Sequence, residues 1–111
     1  MVTQRAIEKE EIKELILIEK SKPCTDCGHC YPPYVMDFDH LDASKKKFNL
    51  SLAKNNSLSD VEEELAKCEL VCSNCHRERE YVRRQFRGSP CFHLPIRELK
   101  ELLRRSLLVE S

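Results

Sequence analysis

Two Cys-x-x-Cys turns, Cys24-Thr-Asp-Cys27 and Cys72-Ser-Asn-Cys75, stand 44 residues apart in a chain of 111. Brought together they offer four thiolates to a tetrahedral ion such as Zn2+, which would pin two distant segments at one point. The stretch between them is then an insertion clamped at its base, longer than a compact ribbon needs. A clamp of this kind answers a need. With 34% charged residues, no Trp and four Phe, so short a chain buries too little apolar surface to rest on its core alone. Seven cysteines, an odd number, argue against a closed disulfide scaffold. The N-terminal stretch carries Arg5, Glu8, Lys9, Glu10, Glu11, Lys13 and Glu14, which is no signal peptide, and no apolar run approaches roughly 18 residues. Free thiols in a reducing, cytoplasmic setting, away from membranes, are the expectation.

The ligand set is open to alternatives. Cys27-Gly-His-Cys30 is an overlapping Cys-x-x-Cys, and Cys68 lies four residues before Cys72. Cys24 with Cys27 is preferred because Gly28 follows directly and gives a tight metal-binding turn its backbone freedom, whereas Tyr31 and Pro32 follow Cys30. Cys68, at helical spacing from Val61 and Leu65, reads as a small core residue, and Cys91 as incidental. A redox-active pair or unpaired core thiols would also account for the spacing.

Along the chain, Thr3 to about Lys20 reads as an amphipathic helix with Ile7, Ile12, Leu15 and Ile16 at helical spacing, ended before Pro23. Tyr34-Val-Met-Asp-Phe-Asp39 alternates apolar and acidic residues as a short strand does, with His40 at its end. Phe48, Leu50 and Leu52 alternate in a second strand or an extended loop. Ser59-Asp-Val-Glu62 has the capping-box pattern of a short helix running through Val61, Leu65 and Cys68. Helix formers return from Ser73 to about Arg87, where Gly88-Ser-Pro90 breaks them. A last helix opens at Pro95, with Ile96, Leu99, Leu103 and Leu107 on one stripe that suits a core face or a homodimer contact.

A second constellation lies inside and just after the bracketed insertion. Asp39-His40 ends the first strand, and His76 follows Cys75. A carboxylate and a neutral imidazole can hold a divalent cation and leave positions open for phosphate oxygens and water, while a further imidazole serves as base. Charge distribution points the same way. The formal net charge is zero, yet it runs 0, −4 and +5 over residues 1–22, 23–76 and 77–105. An acidic centre followed by a basic arm suits a cation site beside a phosphate contact, although solvated helix faces give similar asymmetry.

Taken together, Cys24-x-x-Cys27-Gly28, Tyr31-Pro-Pro-Tyr-Val-Met-Asp-Phe-Asp-His40 and Leu70-Val-Cys-Ser-Asn-Cys-His76 resemble the HNH endonucleases of the ββα-metal fold. The resemblance covers roughly half of the chain, from Cys24 to about Arg79. It implies an α+β fold, a small ββα-metal core with a four-cysteine zinc site and flanking N- and C-terminal helices. Residues 1–22 would be the first helix, 23–87 the zinc-stabilised nuclease domain and 88–111 the C-terminal amphipathic helix. By the same resemblance His40 is the general base, Asp39 and His76 hold the catalytic Mg2+ or Mn2+, and Cys24, Cys27, Cys72 and Cys75 hold structural zinc. One position departs from the family: its middle asparagine, which orders the loop and orients the catalytic histidine, falls on Lys67.

The implied activity is hydrolysis of phosphodiester bonds in nucleic acid, most naturally as nicking of double-stranded DNA. Arg77, Arg79, Arg83 and Arg84 follow the site on one helix. There they can contact backbone phosphates or pair with Glu78 and Glu80. The alternative from another class is a non-catalytic zinc module that binds nucleic acid or a protein. A thiol redox protein is the third reading.

Overall fold

The computed structural model describes residues 2–110 and is α+β: four α-helices, short 3-10 turns and one two-stranded antiparallel sheet. The described residues divide into two compact units, the first ending at Ser73 and the second starting at Asn74. No helix among them is long and apolar enough to cross a membrane.

In the first unit, α1 (Gln4–Lys20) starts where the Thr3 hydroxyl accepts the Ala6 N–H. Its buried Ile12 packs with Leu50, Ala53 and Val61, and Leu15 and Ile16 flank this cluster. Helix α2 (Leu58–Leu65) is capped by Ser57, whose hydroxyl accepts the Asp60 N–H, so it opens two residues before the Ser59 capping box expected from sequence. The Glu8 carboxylate accepts the Leu58 N–H and ties α1 to the start of α2.

The sheet pairs β1 (Met36–His40) with β2 (Cys68–Cys72). Two sequence expectations are corrected here. Tyr34 and Val35 belong to a 3-10 turn at Pro33–Val35, because Pro33 at its first position sets a turn rather than a strand, and Tyr34 is exposed. The second strand is not the Phe48–Leu52 segment, which enters a 3-10 stretch at Leu50–Asn55, but Cys68–Cys72. Cys68 therefore sits on a strand and not at the end of α2, which stops at Leu65. It still packs against the Ile12 cluster, and burial, aided by the Glu64 and Asp39 carboxylates, pushes its thiol up to about 11.

Register sets Met36 opposite Cys72 and His40 opposite Cys68. The cysteine end and the histidine end of the ribbon are thus about 14 Å apart at a strand rise of about 3.4 Å per residue. Beyond β1 the Leu41 N–H donates to Lys67 O and extends the pairing past His40.

Helix α3 (Ser73–Phe86) begins where β2 ends, so the boundary between the units falls in its first turn. In the second unit, Val82 forms a small core with Ile96 and Leu99 of α4 (Ile96–Glu110), with Phe86, Leu94 and Leu103 packed against it. Of the predicted stripe, Ile96 and Leu99 are buried, Leu103 is partly so, and Leu107 is exposed.

Candidate metal centres

Local chain geometry builds the first cysteine turn. Gly28 has φ +75°, the left-handed region open to glycine, and its N–H donates to Cys24 O while the Cys24 N–H donates to His29 O. The Thr25 N–H donates to Leu70 O and holds this turn against β2. The Cys72 N–H donates to Cys24 Sγ at 3.3 Å, joining the two Cys-x-x-Cys segments directly.

The sulfurs of Cys24, Cys27, Cys72 and Cys75 lie within 4.8 Å of one another. A tetrahedral ion about 2.3 Å from each thiolate would set them about 3.8 Å apart, so a small contraction completes a zinc-sized cage. The group takes Cys27 and leaves the exposed Cys30 outside. Two of its thiols, Cys24 and Cys27, are prepared for deprotonation. The backbone N–H of His29, reinforced by that residue's side chain, brings Cys27 down to about 6. Burial pushes the Cys24 thiol up, but N–H groups of Cys27, Cys72 and Asp26 outweigh it and leave its pKa lowered. Four converging sulfurs are a donor set for a soft divalent ion.

A second group joins Asp39, His76 and Glu80, each offering a ligand atom within 4.8 Å of the others. Asp39 is buried, whereas His76 and Glu80 are one turn apart on α3, with His76 Nε2 3.9 Å from Glu80 Oε1. Two carboxylates and an imidazole suit a harder cation than four thiolates do. Glu80 was not singled out from sequence, where it reads as a partner for nearby arginines. The signal available was its i,i+4 spacing from His76.

His40 is not part of that donor group. Strand alternation turns it to the face opposite Asp39, the face it shares with Phe38. Its Nε2 lies 2.8 Å from Glu64 Oε2, and the same oxygen accepts the Lys47 N–H at 3.0 Å. Lys67 Nζ donates to Glu64 Oε1 at 2.8 Å and to Lys45 O at 2.9 Å. Burial works against the Glu64 charge, but Lys67, the Lys47 N–H and His40 overcome it and lower the carboxyl to about 2.

An acid-side prediction follows from that lowering. A carboxyl at about 2 in the fold and at an ordinary 4.5 when unfolded stabilises the native state above pH 4.5, and this contribution fades as pH falls towards 2. Thermal midpoints of the wild type and Glu64→Gln are expected to differ most near neutrality and to converge between pH 4.5 and 2.

Among the four arginines, Arg79 is fully buried and so leaves the surface set expected from sequence. Arg83 is half-buried and pairs with Glu80 at 3.2 Å, while Arg77 and Arg84 are exposed.

No protein-family model, curated protein or solved structure matches this chain.

Proposed function

We propose that the chain is a metal-dependent nuclease of the HNH type, which hydrolyses phosphodiester bonds in double-stranded DNA one strand at a time. The observation that carries this reading is the Asp39, His76 and Glu80 donor group; His40, the next residue after Asp39 on β1, is held by a buried carboxylate. The order β1, β2, α3, with a four-cysteine group at one end of the ribbon, agrees with a ββα-metal core. In this reading Cys24, Cys27, Cys72 and Cys75 hold structural zinc, which fixes the start of α3 and with it His76.

Asp39, His76 and Glu80 would hold Mg2+ or Mn2+. When bound, such a cation polarises the scissile phosphate and stabilises charge on the leaving oxygen. His40 takes one proton from a water molecule. The water oxygen then bonds to phosphorus as the bond to the leaving sugar oxygen breaks, and that oxygen takes a proton from solvent. Arg77 and Arg84, both exposed on α3, meet the DNA backbone.

The test is a time course with supercoiled plasmid and zinc-loaded protein in Mg2+, in Mn2+ and in chelator. Relaxation that needs the divalent ion supports the proposal. Retarded plasmid with no nick in any metal would instead make the chain a binding module.

Arg77 and Arg84 give a prediction of their own. Each phosphate contact contributes about 0.9 to the slope of log affinity against log salt, so Arg77→Ala with Arg84→Ala is expected to flatten that slope by about 1.8. Arg79→Lys tests the buried position and should leave the slope unchanged. Fluorescence titration of a labelled duplex over a salt series reads both.

A further inference from the structure

Glu64 lies on α2, outside both donor groups, and is almost wholly buried. A buried carboxylate normally costs stability unless donors surround it, and here three converge on its two oxygens: Lys67 Nζ, the Lys47 N–H and His40 Nε2. Lys67 is itself held by Lys45 O. The arrangement is more than a charge made tolerable. An ionised carboxylate can only accept hydrogen bonds, so the nitrogen 2.8 Å from Oε2 has to be the one that carries hydrogen. In a neutral ring the lone pair then resides on Nδ1, the nitrogen turned away from Glu64.

We propose that Glu64 is the positioning residue for His40: it fixes the ring as the Nε2–H tautomer and makes Nδ1 the atom that takes the proton of the attacking water. This inference rests on the nuclease reading for its catalytic half, whereas the tautomer itself can be measured without any activity. Lys67 and the Lys47 N–H hold the carboxylate still, so both orientation and tautomer of His40 are set from the α2 side. Glu64→Gln breaks the logic while keeping the shape. An amide has one acceptor oxygen in place of two, and it cannot serve Lys67 and His40 alike.

The experiment has two readouts on zinc-loaded protein. Ring 15N chemical shifts of His40 report the tautomer in the wild type and in Glu64→Gln, and plasmid nicking in Mn2+ gives kcat and KM for both. The Nε2–H form is expected in the wild type, and a mixture with the Nδ1–H form in the variant. Nicking should fall about 10–100-fold in kcat with KM little changed, the size typical of a group that orients a reacting side chain. Should Glu64→Gln not fold, Glu64→Asp withdraws the carboxylate by one methylene and is expected to change both readouts in the same direction. An Nδ1–H ring in the wild type overturns the proposal, as does an unaltered tautomer in a folded variant. Equal nicking by wild type and folded variant overturns its catalytic half while the nuclease reading stands. If the wild type never nicks, the nuclease reading and the catalytic half fall together, and the ring shifts alone decide whether Glu64 governs His40.

Discussion

Replacing Cys72 by serine, or withdrawing the metal from the wild type with a strong chelator, is expected to unfold the chain. Small domains have about 5–15 kcal/mol of net stability, and structural zinc in small modules contributes about 10–16 kcal/mol. Little in the first unit can replace that. Apart from Cys24 and Cys72, its buried apolar side chains among the described residues are Ile12, Met36, Leu50, Ala53, Val61 and Val71, and a two-stranded ribbon is at best marginal by itself. Cys72 is also the last residue of β2, and its N–H bonds to Cys24 Sγ, so the substitution strikes the ligand set and the end of the sheet together. Far-ultraviolet circular dichroism is expected to lose its cooperative thermal transition in Cys72→Ser, with bound zinc falling from one equivalent to none. Cys30→Ser should keep both, because Cys30 is exposed and lies outside the four-sulfur group. Retention of a normal transition in metal-free protein would make the thiols a satellite of the core and not its clamp.

What sequence made legible here were features with local causes. Gly28 marks the turn that carries Cys27, because its positive φ is a backbone requirement readable from residue type. Thr3 and Pro95 each stand directly before the helix they mark: the Thr3 hydroxyl caps α1, and α4 opens at Ile96, one residue after the expected Pro95, whose carbonyl accepts the Glu98 and Leu99 N–H groups. Features decided by tertiary contact stayed hidden. In Cys68-Glu-Leu-Val-Cys72 the cysteines mask strand alternation, and the helical spacing of Val61, Leu65 and Cys68 carries the reading of a helix past Leu65, where α2 ends. Arg79 reads as one of four surface cations, yet its position on α3 buries it. Glu64 is the most instructive omission. Within Glu62-Glu63-Glu64 nothing in the sequence distinguishes the third carboxylate, and only the fold brings Lys67, the Lys47 N–H and His40 to it. Lys67, the residue that breaks the family resemblance, thus has a role through Glu64 that motif comparison alone cannot supply.

His40→Ala is expected to lower metal-dependent nicking by about 10²–10⁴-fold, the usual contribution of a positioned general base. The structure makes this substitution unusually clean. His40 ends β1, its side chain is 10% exposed, and its hydrogen bond runs to Glu64 Oε2, which keeps the Lys47 N–H when the ring is gone; Oε1 keeps Lys67. No donor is orphaned at the carboxylate, and the four sulfurs lie at the other end of the ribbon, so zinc content and thermal midpoint should change little. Loss of rate with fold and metal intact therefore isolates proton transfer. Free imidazole added to the variant should restore part of the rate, since the cavity left by the ring admits a molecule of the same shape and basicity. His93→Ala serves as control: His93 is exposed, lies in the 3-10 turn before α4, and should nick like the wild type. The same plasmid assay separates the possible outcomes. A variant of His40 that keeps full rate would move the base elsewhere, with His76 as the next imidazole beside the carboxylates, and would reduce His40 to a structural partner of Glu64. Rate lost on His40→Ala and regained with imidazole would assign the proton transfer to the last residue of β1.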